Sequence, residues 1–475
     1  MKFSVLRKLA LVMALVLLFL TGCQSGGANK YKLSPKDPVS LEIWHYYNGP
    51  QKVAFDALVS EFNETVGAEQ GIVVEAFNYG SINELIQKVL DSANKKVGSS
   101  EMPDIFAGYS DTAYQVDQLG LVAPLDAYLT EEELKTYLPS YLEEGRFDKD
   151  QNLKIFPTAK STEVMMLNKT DWDNFASATG AKVEDLSTME GVVQTAKAYY
   201  EWSGGTKAFF GRDAMANYFI IGCKELGVEI FSVNNGEVSL NVDKKVIRKL
   251  WDNYYVPYVN GYFGAYGKFR SDDAKTGQII ALVGSTTGAI YFPQEVTVSD
   301  TESYPIEVMT LPAPVFEGGE PYAVQQGAGL VVTKSDERKE YAATLFLKWF
   351  TESQRNIDFS VGTGYLPVKV DANDMAMIEK SDVEMTDIMQ ETLQVAIDTV
   401  TTHEMYTNKA FAGGTEARNV LENSLQDKAN ADLDQIKALM EQGMSHDEAV
   451  AQFDTDANFD AWFAEFQKAL EGAIK

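Results

Sequence analysis

Cysteine is almost absent from this chain and histidine nearly so, at two and three residues of 475. Cys23 and Cys223 stand two hundred positions apart, which argues against a disulfide framework and leaves Cys223, in a helical pattern, as a packed free thiol. His45, His403 and His446 are scattered, and neither His-x-x-x-His nor Cys-x-x-Cys occurs, so zinc chemistry and a His-activated nucleophile lack their parts. A Gly-x-Ser-x-Gly elbow is missing too. "GAYGKF", at 264–269, lacks the Ser or Thr that follows Lys in a phosphate-binding loop. "DTDANFDAWFAE", at 454–465, places Asp454, Asp456, Asn458 and Glu465 at calcium-loop offsets, but Phe459 stands where the turn needs glycine, so a capped helix start is expected. Positive charge is scarce as well: 41 Lys and Arg face 69 Asp and Glu, for a net charge of −28. That balance disfavours nucleic acid and anionic headgroups as partners. It also makes pairs of carboxylates uninformative for glycoside hydrolysis, and with no other catalytic constellation the chain reads as a non-enzyme without cofactor or metal.

One apolar run is long, Leu9 to Leu20, and it is shorter than the roughly 20 residues that cross a bilayer. Lys2, Arg7 and Lys8 precede it, and Gly22 and Cys23 close it with small residues, so residues 1–22 read as a signal peptide. Leu20-Thr21-Gly22-Cys23 resembles the lipobox of bacterial lipoproteins, which implies cleavage before Cys23 and lipidation of its sulfur. Acyl chains on Cys23 would anchor the protein to the extracytoplasmic face of the cell membrane, each buried methylene adding about 0.8 kcal/mol. Residues 23–37, a polar stretch with Gly, Ser and Pro and no apolar periodicity, are expected to act as a flexible linker. Loss of the signal would leave 453 residues and take the net charge from −28 to −31. That length calls for two lobes or more.

From Val39 the hydrophobic period switches between sheet and helix. "VSLEI" alternates as a strand, Phe55, Leu58, Val59 and Phe62 recur at helical spacing, and Ile72 to Val74 give a second strand. Ser81 with Glu84 forms a capping box ahead of a helix with apolar face Ile82, Leu85, Ile86, Val89 and Leu90. "PDIFAG" is the third strand, and the alternation predicts a mostly parallel sheet with ligand-facing loops at the strands' carboxyl ends. A second unit begins near Phe156, with strands in "EVMML" and "KAFFG", a helix over Met189–Tyr200 and another helix capped by Asp213. Residues 257–293, dense in Gly and Tyr, are expected to form a surface that meets a partner. Helices are expected to dominate from about 336, with no fixed-period repeat.

Several segments together resemble the extracellular solute-binding proteins, family 1, of ABC importers. They are "WHYYNG", "MPDIF", "FPTAKSTEVMMLNK", "GQIIALVGSTTGA" and "GAGLVVTKSDERKEYAATLFLKWF" followed by "GYLPV", in family order over roughly 39–370. Leu167 stands before Asn168 where the family usually has Tyr, one core residue for another. The resemblance implies an α/β, two-lobed periplasmic-binding-protein fold, type II-like, with several inter-lobe crossings and a ligand cleft between lobes. Lobe one would take 38–157 and 284–351, and lobe two 158–283 and 352–475. Function would be capture of a carbohydrate by hinge closure and delivery to the transmembrane subunits of an ABC permease, the protein working as a monomer and touching membrane through its anchor only. Glycerol phosphate or another small polar solute is the alternative ligand.

Sugar rings offer apolar C–H faces and hydroxyl rims, so the cleft needs flat aromatics and paired donors and acceptors. Trp44, Tyr46, Tyr47 and Asn48 after strand one are candidates, as are Tyr109, Ser110 and Asp111 after strand three. Lys160, Ser161 and Thr162 would lie in the first crossing, and Gly284, Ser285, Thr286 and Thr287 in the second. Gln325, Gln326 and Gly327, then Gly364 with Tyr365, complete the wall. Arg212 and Asp213 would open a helix facing the cleft, where Arg212 and Lys160 suit hydroxyls or a phosphate. Tyr47, Ser161, Ser285 and Tyr365 are the foremost candidates.

Overall fold

Strands β1 (Val39–His45), β2 (Ile72–Asn78) and β3 (Ile105–Gly108) alternate with helices α1 (Gly49–Phe62), α2 (Ile82–Ala93) and α3 (Ser110–Gln118). There follow β4 (Glu163–Asn168), α4 (Met189–Trp202), β5 (Phe210–Arg212), α5 (Met215–Glu225), β6 (Phe231–Asn234), β7 (Glu237–Leu240), α6 (Lys244–Val259), β8 (Ala281–Ser285) and β9 (Val308–Pro312). Then come β10 (Gly329–Val332), α7 (Glu337–Phe350), α8 (Ser353–Thr363), α9 (Asp387–Thr402), α10 (Gly414–Glu441) and α11 (Asp456–Ala473). The structure, a computed structural model, describes residues 30–234 and 236–474. The expected signal peptide and Cys23 lie outside the described residues. Among the described residues no helix is long and apolar enough to cross a membrane.

Two four-stranded sheets divide the chain into two lobes. The first runs β10-β3-β1-β2: β1 is parallel to β2 and β3, as the alternating pattern predicts, and β10 returns antiparallel. On β1, Leu41 and Ile43 point into the core while Ser40 and Glu42 face out, so the period-2 pattern fixes which face is buried. Ser81 caps α2 with the expected box, its hydroxyl accepting from the Glu84 N–H at 3.2 Å. The second sheet runs β9-β4-β8-β5 and is mixed, since β4 lies antiparallel to both neighbours. Its core is aromatic, with Trp251, Tyr254, Tyr255, Phe219 and Trp462 buried together. Cys223 is buried in this core, and burial pushes its thiol up to about 12.

Three expectations change. Residues 284–312 do not return to the first lobe: β8 ends at Ser285 within the second sheet, and β9 pairs along β4 there. The return comes with β10, after a crossing at 325–328. Asp213 does not cap α5; Ala214 holds that position, because the Asp213 carboxylate is drawn to the Arg270 N–H at 2.9 Å. The 257–293 stretch is largely core, with Tyr258 and Phe263 buried, although Tyr266, Phe269 and Tyr291 remain exposed. At the C-terminus Thr455 caps α11, as the helix-start reading of 454–465 requires.

Three segments cross between lobes side by side. Ser161 pairs with Gln326 through backbone hydrogen bonds of 3.0 and 2.9 Å, and Lys160 pairs with Leu366. Gly327 makes the crossing possible: its φ is +96°, and a Cβ there would stand 2.7 Å from the Ala159 carbonyl oxygen.

Candidate functional site

A cavity of about 500 Å³ opens between the lobes beside this crossing. The first lobe contributes Tyr46 after β1, Ile82, Asn83 and Ile86 from α2, Tyr109 to Thr112 at the start of α3, and Glu144. Asn217 and Ile220 on α5, Ser285 and Thr287 after β8, and Thr407, Asn408 and Phe411 come from the second. The crossing segments add Ser161, Val324, Gln325, Gln326, Gly327 and Tyr365. Tyr46, Tyr109, Ser110, Asp111, Ser161, Ser285, Thr287, Gln325, Gln326, Gly327 and Tyr365, all named from the sequence, therefore line one cavity. The Tyr46 and Tyr365 hydroxyls are 3.2 Å apart, and burial raises both phenols above their ordinary value. Tyr109 is the most open of the three rings, at 38% exposure.

The remaining named residues lie elsewhere. Trp44 and Tyr47 are each 1% exposed in the first core. Trp44 packs at 4.9 Å on Tyr79, and Tyr47 among Phe55, Phe359 and Tyr365, because β1 continues to His45 and keeps those rings inside. Asn48 turns outward and donates to the Tyr46 and Gly80 carbonyls. Thr162 and Thr286 are fully buried beside the sheet, joined by the Thr286 N–H to the Thr162 carbonyl, and Gly284 is packed toward the Asp213 carboxylate.

Lys160 and Arg212 are behind the wall, and each is consumed by a carboxylate. Lys160, 1% exposed, sits 2.6 Å from Glu144 and 2.8 Å from the Gly327 carbonyl. Arg212 is buried against Glu163, with its guanidinium 5.5 Å from the Tyr218 ring centre. Glu163 also accepts from the Asn217 amide at 2.8 Å, and Asn217 in turn accepts from Arg418 at 2.8 Å. A polar chain thus runs from the second sheet to the cavity and ends at Arg418. Asp111 is pushed up to about 6, burial being the main cause, with Arg418 and the Phe411 amide pulling the other way. Glu422 accepts from the Ala216 N–H at 2.8 Å.

α10 supplies a whole side of the cavity that the sequence reading missed: Gly414, Thr415, Arg418, Asn419 and Glu422. Positions 414, 418 and 422 fall four apart, on one helical stripe, and Ala417, Leu421 and Leu425 form the buried stripe that adjoins it. That polar stripe was the available signal. Among the described residues no cluster of His, Cys, Asp and Glu is placed to hold a metal ion.

The sequence pattern of the bacterial extracellular solute-binding proteins matches residues 57–387, and the chain belongs to that family. Its members bind solutes. Solved structures with the same fold include the cyclic alpha-maltosyl-1,6-maltose binding protein of Arthrobacter globiformis, 19% identical, covering 92% of this chain and 99% of that one at TM-score 0.67. The GacH receptor of Streptomyces glaucescens, solved unliganded and with acarbose, is 15% identical over 91% and 98% of the two chains at TM-score 0.65. UgpB of Mycobacterium tuberculosis, in complex with glycerophosphocholine, is 18% identical over 92% and 98% at TM-score 0.67. No curated protein matches the sequence.

Proposed function

We propose that this protein captures a neutral carbohydrate by closing its two lobes and hands it unchanged to an ABC permease, tethered outside the membrane through lipid on Cys23. The observation that carries the reading is the cavity itself: both lobes line it, and its lining joins three tyrosines with amides and hydroxyls. Aromatic faces suit sugar C–H surfaces, and Gln325, Gln326, Asn83, Asn419, Ser161 and Ser285 suit sugar hydroxyls. The binding of saccharides by the Arthrobacter and Streptomyces proteins of the same fold supports it.

Glycerol phosphate fits the charges less well. A phosphate needs unpaired donors, yet Lys160 and Arg212 are bound to Glu144 and Glu163, and Arg418, which donates to Asn217, shares the cavity lining with Asp111, Glu144 and Glu422. A thermal-shift screen of neutral saccharides against sn-glycerol 3-phosphate tests the choice, since ligand at a hundred times its dissociation constant adds about 2.7 kcal/mol. Stabilisation by the phosphate alone would overturn the carbohydrate reading. Turnover of a chromogenic glycoside by purified protein would overturn the non-enzyme one.

A further inference from the structure

Away from the crossing segments the lobes touch through α3. Asp111 and Tyr114 lie three residues apart on that helix, hence on neighbouring positions of one face. The Asp111 carboxylate rests on Gly414, the first residue of α10: a Cβ added there would collide with its oxygens and stand 2.6 Å from Asp111 Cγ. The Phe411 backbone N–H is turned to the same carboxylate, and α10 has no side-chain cap of its own. The peptide dipoles at the first turn of this 28-residue helix offset part of the cost of burying that carboxylate, which burial still raises overall. One turn along, the Tyr114 ring reaches the β6–β7 hairpin at Gly236, where φ is +80° and a Cβ would stand 3.1 Å from Tyr114 Cζ. The two partners belong to separate cores: α3 buries Ala113 and Val116 in the first, and α10 buries Ala417 and Leu421 in the second. Contacts between bodies with separate cores form and break when the bodies move.

We propose that Asp111 and Tyr114 form a clasp that seats on Gly414 and Gly236 as the cleft shuts, Asp111 acting as a positioning residue that holds the opposite lobe. This rests on the two-lobe capture reading above. Asp111 lines the cavity, but its nearest partner is the other lobe. Gly414 is the informative seat. Its φ lies outside the left-handed region, so alanine fits the helix and obstructs the clasp alone.

The test uses the full chain. Asp111→Cys with Gly414→Cys places a sulfur near the present position of Asp111 Cγ, within reach of a disulfide across the cleft. After mild oxidation, peptide mapping is expected to find the 111–414 link in most chains, and X-ray scattering a smaller radius of gyration than in the reduced protein. No link, or a link with unchanged radius, overturns the clasp while leaving the cavity and its ligand class untouched. A second arm titrates maltotriose, as a neutral probe, into wild type, Gly414→Ala and Gly414→Ala with Asp111→Ala. Where wild type binds, the single variant is expected to lose at least about tenfold in affinity and the double variant to lose no more than the single, because both changes remove the same seat. Equal affinity of Gly414→Ala and wild type, or a further loss when Asp111→Ala is added, overturns the inference. Failure of wild type to bind any saccharide counts against the capture reading instead, and the crosslink still decides the clasp.

Discussion

Glu144→Gln is expected to destabilise the protein more than any other single change at the cavity wall. Glu144 keeps 6% of its side chain exposed and Lys160 keeps 1%, with 2.6 Å between Nζ and carboxylate. Glutamine has nearly the same shape, so packing survives while the charge is lost. The Lys160 ammonium would retain the Gly327 carbonyl at 2.8 Å and the amide oxygen of the new side chain, but no counter-charge. Breaking one half of a buried ion pair costs about 3–5 kcal/mol, a large share of the roughly 5–15 kcal/mol that holds a typical domain. The second change separates charge from packing. Adding Lys160→Met removes the stranded ammonium, and because apolar replacement of a buried pair is often neutral, most of the lost stability should return. Urea unfolding, followed by tryptophan fluorescence and by far-ultraviolet circular dichroism to detect separate lobe transitions, measures both. A loss below about 1 kcal/mol for Glu144→Gln, or a double variant no better than the single, would refute the claim that the pair is buried and mutually dependent.

Tyr109→Ala is expected to weaken saccharide binding about tenfold or more while changing stability by less than about 0.5 kcal/mol, because the ring is exposed at the cavity and packs little elsewhere; calorimetric titration beside a melt checks both. Asp111 gives closure a pH dependence. Burial against α10 pushes its carboxyl up to about 6; if opening the proposed clasp releases that burial, closure takes up a proton, is favoured below that range and loses the benefit as pH rises through 6. Affinity should rise about fourfold from pH 7.5 to 5.5, and Asp111→Asn should abolish the slope with Arg418, Glu416 and Glu144 left in place. Burial pushes the Glu225 carboxyl up to about 8, although the Phe316 N–H that it accepts from at 3.0 Å pulls the other way. A raised carboxyl contributes stability at acid pH that is lost as pH climbs, here by about 1.4 kcal/mol per unit between roughly 5 and 8, and Glu225→Gln should flatten that slope in pH-resolved melts.

Local chemistry made the secondary structure readable, and tertiary partners decided what it could not. Ser81 and Glu84 announce α2 because both halves of the capping box lie within four residues, and the alternation on β1 needs no distant contact to be recognised. The same β1 shows where such reading stops. Trp44, Tyr46 and Tyr47 are three aromatic residues in a row-like cluster, yet only Tyr46 faces the cavity, because the other two rings are covered by Tyr79 and by Phe359, residues 35 and 312 positions further on. α10 escaped for a related reason. Its polar stripe looks like the solvated face of an amphipathic helix until α3 and α5 are placed opposite it.

Charge was the property least visible in one dimension. Arg212 and Lys160 have the donors a phosphate requires, and nothing near Arg212 in sequence takes that role from it. Glu163 does so from 49 residues upstream, and Glu144 takes Lys160 from 16. Once paired, neither cation can be offered to an anion without stranding a buried carboxylate, which costs more than a surface contact returns. Arg418 is the cation left at the wall, and Asn217 holds one of its nitrogens while Asp111 shares its field. A solute that brings hydroxyls and ring faces asks nothing of these pairs. On the proposed carbohydrate reading, one that brings a phosphate would have to compete with all of them, and the internal ion pairs that steady the crossing and the second sheet would also bias the cleft toward uncharged guests.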